Sequence, residues 1–195
     1  MKMEGRRCLV AGAGYVGLTK IQGLLDCQAA VTVVSPRVVS EIEELATDGR
    51  INLRLREYCE ADLNSMQVVI ASTDKPEVNH LIYQQATGRG LFVNVVDDPD
   101  YCDFYFGSIV RRGALQVAIS TRGESPAFAQ RLKEEIDEAL PADTASWLDR
   151  LGELRRHVNR VVESGPRRTS LLRELARRET CDPATCPCLS LTART

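Results

Sequence analysis

The chain is poor in features that would assign its class at once. No apolar run approaches the roughly 20 residues that span a bilayer, and the first residues lack the apolar core of a signal peptide. The sequence therefore predicts no membrane protein and no membrane partner. Neither sign of charge dominates: 25 Lys and Arg face 27 Asp and Glu, a formal net charge of −2, which supplies no general field for nucleic acid. Histidine is scarce. His80 falls in a predicted helix and His157 among arginines, and without partners at motif spacing both read as solvated surface. The seven cysteines are an odd count, so a complete disulfide framework is impossible, and reduced thiols in a cytoplasmic protein are expected. Cys181, Cys186 and Cys188 make a C-x4-C-x-C pattern near the end. Three thiols without a nearby histidine match four-ligand zinc or iron–sulfur sites poorly, and no metal site is expected.

What is present begins at Cys8, where a short apolar run leads into Gly12-Ala13-Gly14-Tyr15-Val16-Gly17, a complete G-x-G-x-x-G. Leu9 to Ala11 read as a buried strand and Gly12 as the tight turn. Gly14 lets the backbone approach a pyrophosphate, and Gly17 permits close packing of helix on strand. The helix expected over about Leu18 to Asp26 aims its N-terminal amides at that diphosphate. Such a fingerprint is weak alone, but Val31 to Val34 supply a second β-branched strand at the distance a strand-helix-strand unit requires.

A mostly parallel α/β sheet follows from the alternation downstream. A helix is expected over Ser40 to Asp48, and strands over Ile51 to Leu55 and Gln67 to Ala71. A helix near Glu77 to Thr87 and a strand over Leu91 to Val96 come next. The rhythm changes near Phe104: runs over Phe104 to Val110 and Leu115 to Ser120, joined by Arg111 to Ala114, read as a hairpin. Ser125-Pro126 starts a helix that ends at Leu140-Pro141. The expected organisation is a Rossmann-type domain over 1–103, a hairpin and helix dimerisation region over 104–142, a helical region over 143–179 and a cysteine-containing tail over 180–195. Nine arginines face three glutamates from Arg150 to Arg178, a basic stretch that either steers an anionic substrate or is a solvated helix face.

Four segments in this order resemble the precorrin-2 dehydrogenase family, the NAD-dependent enzymes of siroheme synthesis that include the N-terminal part of siroheme synthase. They are Gly12 to Lys20, Val31 to Pro36, Asn94-Val95-Val96-Asp97-Asp98-Pro99, and Leu115 to Thr121 running into Gly123-Glu124-Ser125-Pro126. The resemblance covers about residues 1–141. It implies oxidation of precorrin-2 to sirohydrochlorin with NAD, ferrous iron insertion in some members, and a homodimer with the hairpin and following helices exchanged. Where the family loop reads G-G-G-x-V-A-x-R-K, this chain has Ala13, Gly17 and Thr19 before Lys20, and Arg122 stands where the family has a small glycine.

Asp97 follows a strand at the carboxyl edge where open α/β sheets bind ligands, and the resemblance implies a catalytic role, as proton acceptor or in metal entry. The competing reading is a turn aspartate in Asp97-Asp98-Pro99-Asp100. The fingerprint places cofactor contacts at Gly12, Gly14 and Gly17, and the resemblance adds Tyr15, Val16, Pro36 and Arg37. Ser35 stands where many NAD enzymes have an acid for the ribose, and with Arg37 nearby, charge alone leaves NAD and NADP both open. Ser72 and Thr73 either flank the nicotinamide half or cap a turn. Ser120, Thr121 and Ser125 are candidates for binding substrate carboxylates, Ser125 competing with a helix-cap role. Two other functions fit the residues: a non-catalytic NAD-sensing regulatory module, and a dehydrogenase of an unrelated small substrate.

Overall fold

The computed structural model describes residues 2–177. The tail expected over 180–195, its three cysteines, and the last positions of the expected helical region lie outside them. The described part divides into one compact unit ending at Phe106 and another beginning at Gly107.

The first unit is built on five parallel strands: β1 (Arg7–Ala13), β2 (Ala30–Val38), β3 (Asn52–Arg54), β4 (Val68–Ala71) and β5 (Phe92–Val95). Their order is β3-β2-β1-β4-β5, so the winding reverses between β1 and β4. β1 and β4 are buried almost throughout, as strands covered on both faces must be. Helices α1 (Tyr15–Asp26), α2 (Ser40–Thr47) and α3 (Pro76–Thr87) connect them. One face packs Ile21 and Leu24 of α1 and Ile42 of α2 against Cys8, Val10, Val33 and Ile70. The other packs Ile82 and Ala86 of α3 against Leu9, Ala11, Val69 and Val93. Fully burying one such Leu, Ile or Val is worth about 1.5–3 kcal/mol, and this double core makes the strand edges a rigid platform.

Four elements differ from the sequence expectation. Helix α1 begins at Tyr15 rather than Leu18, because Gly14 already occupies the extended N-cap position. Short 3-10 turns stand at Glu60–Leu63 and Pro99–Tyr101. The first hairpin strand begins only at Ser108, since Phe104 and Phe106 pack instead against the α1 side of the first core.

The second unit pairs antiparallel strands β6 (Ser108–Arg112) and β7 (Leu115–Ile119), turning at Gly113 with φ +57, a positive value suited to tight hairpins. Helices α4 (Pro126–Ala139), α5 (Thr144–Val161) and α6 (Pro166–Leu175) follow. Its buried apolar residues among those described are Val110, Ala129, Val158 and Leu175. No helix among the described residues is long and apolar enough to cross a membrane.

Candidate active site

The reversal of strand order opens a crevice at the carboxyl ends of β1 and β4, the place where doubly wound sheets bind ligands. A cleft of about 450 Å³ lies there. It brings together Gly12 and Gly14 from the β1 exit, Ser35, Pro36 and Arg37 from the end of β2, and Ser72 and Thr73 from the β4 exit. Those seven of the sequence candidates share one wall.

The glycine loop fits a diphosphate for reasons visible in its spacing. Gly12 has φ +102, and a Cβ there would stand 2.3 Å from the Ser72 carbonyl oxygen. A Cβ on Gly17 would stand 2.4 Å from the Gly12 carbonyl oxygen, which locks helix onto turn. Gly14 is the opposite case: a Cβ there meets nothing within 4 Å, so the space above it is open to a ligand. The first helical bond runs from the Leu18 amide to the Gly14 carbonyl at 2.9 Å. The amides of Tyr15, Val16 and Gly17 therefore precede the ladder and form the positive end of α1. The side chains of Tyr15 and Val16 are exposed on this first turn.

The hydroxyls beside the loop have structural work. Ser72 Oγ donates within the β1 exit, at 3.1 Å to the Ala11 carbonyl or 3.3 Å to that of Gly12. Thr73 Oγ1 donates to Asn79 Oδ1 at 2.7 Å, and the same oxygen accepts the Thr73 amide at 3.1 Å while Asn79 Nδ2 donates to the Thr73 carbonyl at 3.1 Å. Buried Asn79, on α3, thus fixes the loop after β4. Ser35, also buried, donates to the Arg37 carbonyl at 2.6 Å. Across the cleft mouth Arg37 pairs with Asp74 at 3.5 Å and Glu57 with Lys75 at 3.3 Å, exposed pairs of small energetic worth.

A second clasp supports the cleft from below β3. Asp62 is buried and accepts from Arg54 at 2.5 Å, from Arg56 at 2.5 and 2.7 Å, and from the Cys59 amide at 3.0 Å. Burial pushes its carboxyl up, but the bonds from Arg56, Cys59 and Arg54 outweigh this and hold it well below the usual carboxylate range. The cleft-lining phenol of Tyr58, one residue before Cys59, is pushed up to about 12, mainly by burial.

Asp97 stands just beyond β5, exposed, with φ +62. A left-handed backbone costs an L-residue about 1–2 kcal/mol, though Asp tolerates it better than most. The segment is pinned around it: the Val96 amide donates to the Ala71 carbonyl at 2.9 Å, and Cys102 Sγ lies 3.1 Å from the Val95 carbonyl and 3.2 Å from that of Asp98. Half-buried Lys20, on α1, lies 4.6 Å from the Phe106 ring centre. Its burial lowers the ammonium pKa, and the fields of Asp97 and Cys102 act in the opposite direction.

Both histidines are half-buried rather than fully solvated. His80 Nε2 lies 2.9 Å from Asp98 Oδ2 and its ring sits 4.5 Å from that of Tyr101, a contact between helix and loop with no fixed spacing to announce it. His157 stands beside buried Val158 on α5, and its Nε2 is buried.

Ser120, Thr121 and Ser125 belong to the second unit, in the connection from β7 to α4. Ser120 Oγ accepts the Arg122 amide and Thr121 Oγ1 the Ser125 amide, both at 3.3 Å. Ser125 Oγ accepts the Phe128 amide at 3.2 Å as the cap of α4. Arg122 holds φ +56, a conformation a glycine adopts without strain.

Comparison with known proteins adds to this geometry. Residues 1–108 match a family model described as "Putative NAD(P)-binding", and residues 112–139 match one described as "Sirohaem biosynthesis protein central". Siroheme synthase 1 of Aeromonas salmonicida (strain A449) is 39% identical over 168 residues, 86% of this chain and 36% of that protein. Siroheme synthase of Pseudoalteromonas translucida (strain TAC 125) is 36% identical over 157 residues, 80% of this chain and 33% of that protein. The chain thus spans about a third of the length of these relatives. A solved structure titled "SirC, precorrin-2 dehydrogenase" superposes with a TM-score of 0.83 at 26% identity, covering 100% of this chain and 98% of that one.

Proposed function

Because the chain belongs to the NAD(P)-binding family whose model spans residues 1–108, we propose that it is an NAD-dependent dehydrogenase that oxidises precorrin-2 to sirohydrochlorin in siroheme synthesis. The observation that carries this reading is the likeness to the solved precorrin-2 dehydrogenase along the entire chain, with an open diphosphate cradle above Gly14.

Oxidation of the macrocycle removes one hydride and one proton. Bound NAD supplies the hydride acceptor. The amides of Tyr15, Val16 and Gly17 hold its diphosphate at the positive end of α1, and Ser35, Pro36 and Arg37 flank its adenosine ribose. The carboxylate of Asp97 takes the proton, a role that requires a charged acceptor fixed at the strand edge. The backbone bonds of Val96 and the Cys102 contacts supply that fixation. Ser120, Thr121 and Ser125 bind substrate carboxylates, since in the bonds described above their oxygens accept and their protons are available to donate.

The working molecule is a homodimer, a reading supported by the small buried core of the second unit. The reduced thiols of Cys8, Cys59 and Cys102 agree with a reducing, cytoplasmic setting. Ferrous iron insertion, which the resemblance implies for some members of the family, is tested separately from the oxidation.

Mixing the purified protein with precorrin-2 and NAD, and following NADH and sirohydrochlorin by absorbance, tests the reading; ferrous and then cobaltous ion are added afterwards. Nucleotide binding with no NADH formed identifies a regulator instead. Turnover of a hydroxy acid with no effect on the tetrapyrrole identifies a different dehydrogenase.

A further inference from the structure

We propose that His80 is a positioning residue for Asp97, acting through Asp98, so that helix α3 sets the carboxylate in register with the nucleotide loop. The inference rests on the reading of Asp97 as the proton acceptor.

Neighbouring residues of α3 grip the two loops that frame the crevice. Asn79 reaches the loop after β4, with three hydrogen bonds to Thr73. His80 reaches the loop after β5, where Nε2 meets Asp98 Oδ2 at 2.9 Å. A ring stack reinforces the second grip: Tyr101 of the loop lies 4.5 Å from His80 and packs edge-on, at 4.8 Å, against Tyr83 of α3. Because α3 is a hydrogen-bonded rod seated on the core through Ile82 and Ala86, Thr73 and Asp98 are held at one separation.

Asp97 needs such an outside hold. Its backbone is left-handed, a conformation that persists only where the surroundings determine it. The other bonds around it are to strand backbone or come from Cys102, Asn94 and Tyr105, which flank the same turn. The His80 contact joins the adjacent residue's side chain to a separate, rigid element. Misplacing a reacting group by about 1 Å costs on the order of 100-fold in rate, so a loosened Asp98 is read out in turnover before it is read out in folding.

Two substitutions separate the two contacts of the ring. His80→Phe keeps the stack on Tyr101 and removes the hydrogen bond; His80→Gln places an amide near Nε2 and removes the stack. In steady-state assays with precorrin-2 and NAD, His80→Phe is expected to lower kcat about 10- to 100-fold. The Kd for NADH, from fluorescence titration, and the thermal midpoint stay near wild type. His80→Gln restores kcat to within about threefold, as a hydrogen-bond role requires. Asp98→Ala matches His80→Phe, and the double variant is no slower than either, as two members of one contact require. The Asp98 amide exchanges faster with deuterium in His80→Phe. Wild-type kcat in both His80→Phe and Asp98→Ala, multiplicative losses in the double variant, or no rescue by glutamine overturns the proposal. Asp97→Ala is assayed alongside. Its loss of turnover with His80→Phe unaffected sinks only the positioning role, whereas wild-type turnover in Asp97→Ala sinks the reading of Asp97 itself.

Discussion

The glycine turn after β1 and the carboxylate loop after β5 are built by different means. On the nucleotide side, position is set by main chain against main chain: Gly12 lies where a Cβ would stand 2.3 Å from Ser72, and Gly17 where one would stand 2.4 Å from Gly12. On the carboxylate side, side chains add to the backbone bond of Val96, through His80 to Asp98 and through Cys102 to the Val95 and Asp98 carbonyls. A wall made of backbone contact is either intact or lost, and binding reports on it. A wall held by side chains yields in steps, and rate reports on it.

Asp97→Ala gives the largest expected effect and the sharpest form of this contrast. Turnover falls by about 10²- to 10⁴-fold while NADH affinity is kept; a matching loss of affinity would show that the two walls act as one. Next come Gly12→Ala and Gly14→Asp, two changes in one loop. The alanine strains φ +102 and collides with Ser72, so it lowers stability by about 2–6 kcal/mol, the range of strain and overpacking combined. The aspartate has room and an ordinary backbone, so the fold melts as wild type while calorimetry shows nucleotide affinity down by about 100-fold or more, as a charge opposed to a diphosphate requires. Retained affinity in Gly14→Asp would break the assignment of the loop.

Asp62→Asn tests the clasp beneath the cleft and is expected to cost about 3 kcal/mol in urea unfolding, because two arginines lose their shared charge. The wild type carries the matching pH dependence. A carboxyl whose folded pKa lies below its ordinary value of 3.8 stabilises fully above that value and progressively less as pH falls from there toward the folded pKa. Acid unfolding of the wild type is therefore steeper below pH 3.8 than that of Asp62→Asn. The smallest effect is expected from Arg37→Ala or Asp74→Ala: an exposed pair at 3.5 Å is worth under about 1 kcal/mol, and a larger loss of stability would place it among the holding contacts.

What the sequence made legible follows the same division. The glycine loop and the strands β1, β2 and β4 are local patterns, a turn residue or a β-branched run that states its own conformation, and they stand where periodicity puts them. The crevice itself was readable because strand order places it by topology. The contacts of Asp98 were not: His80 lies 18 positions earlier, on a helix, and a helix-to-loop contact has no spacing rule. Asp62 was missed although Cys59 and Asp62 form a capping box, a local signal that marks the turn but not the arginines that reach it. The late start of β6 has a similar cause. Phe104 and Phe106 look like strand residues in sequence, but they are drawn to the first core.

The few apolar side chains buried beyond Phe106 among the described residues, namely Val110, Ala129, Val158 and Leu175, bear on how much protein a cell must make. In the homodimer proposed above, an arm with so slight an interior would draw its firmness from a sister chain, so dilution would loosen it while the nucleotide platform endures. Below some threshold of abundance, added coenzyme would then fill a platform whose arm has come undone.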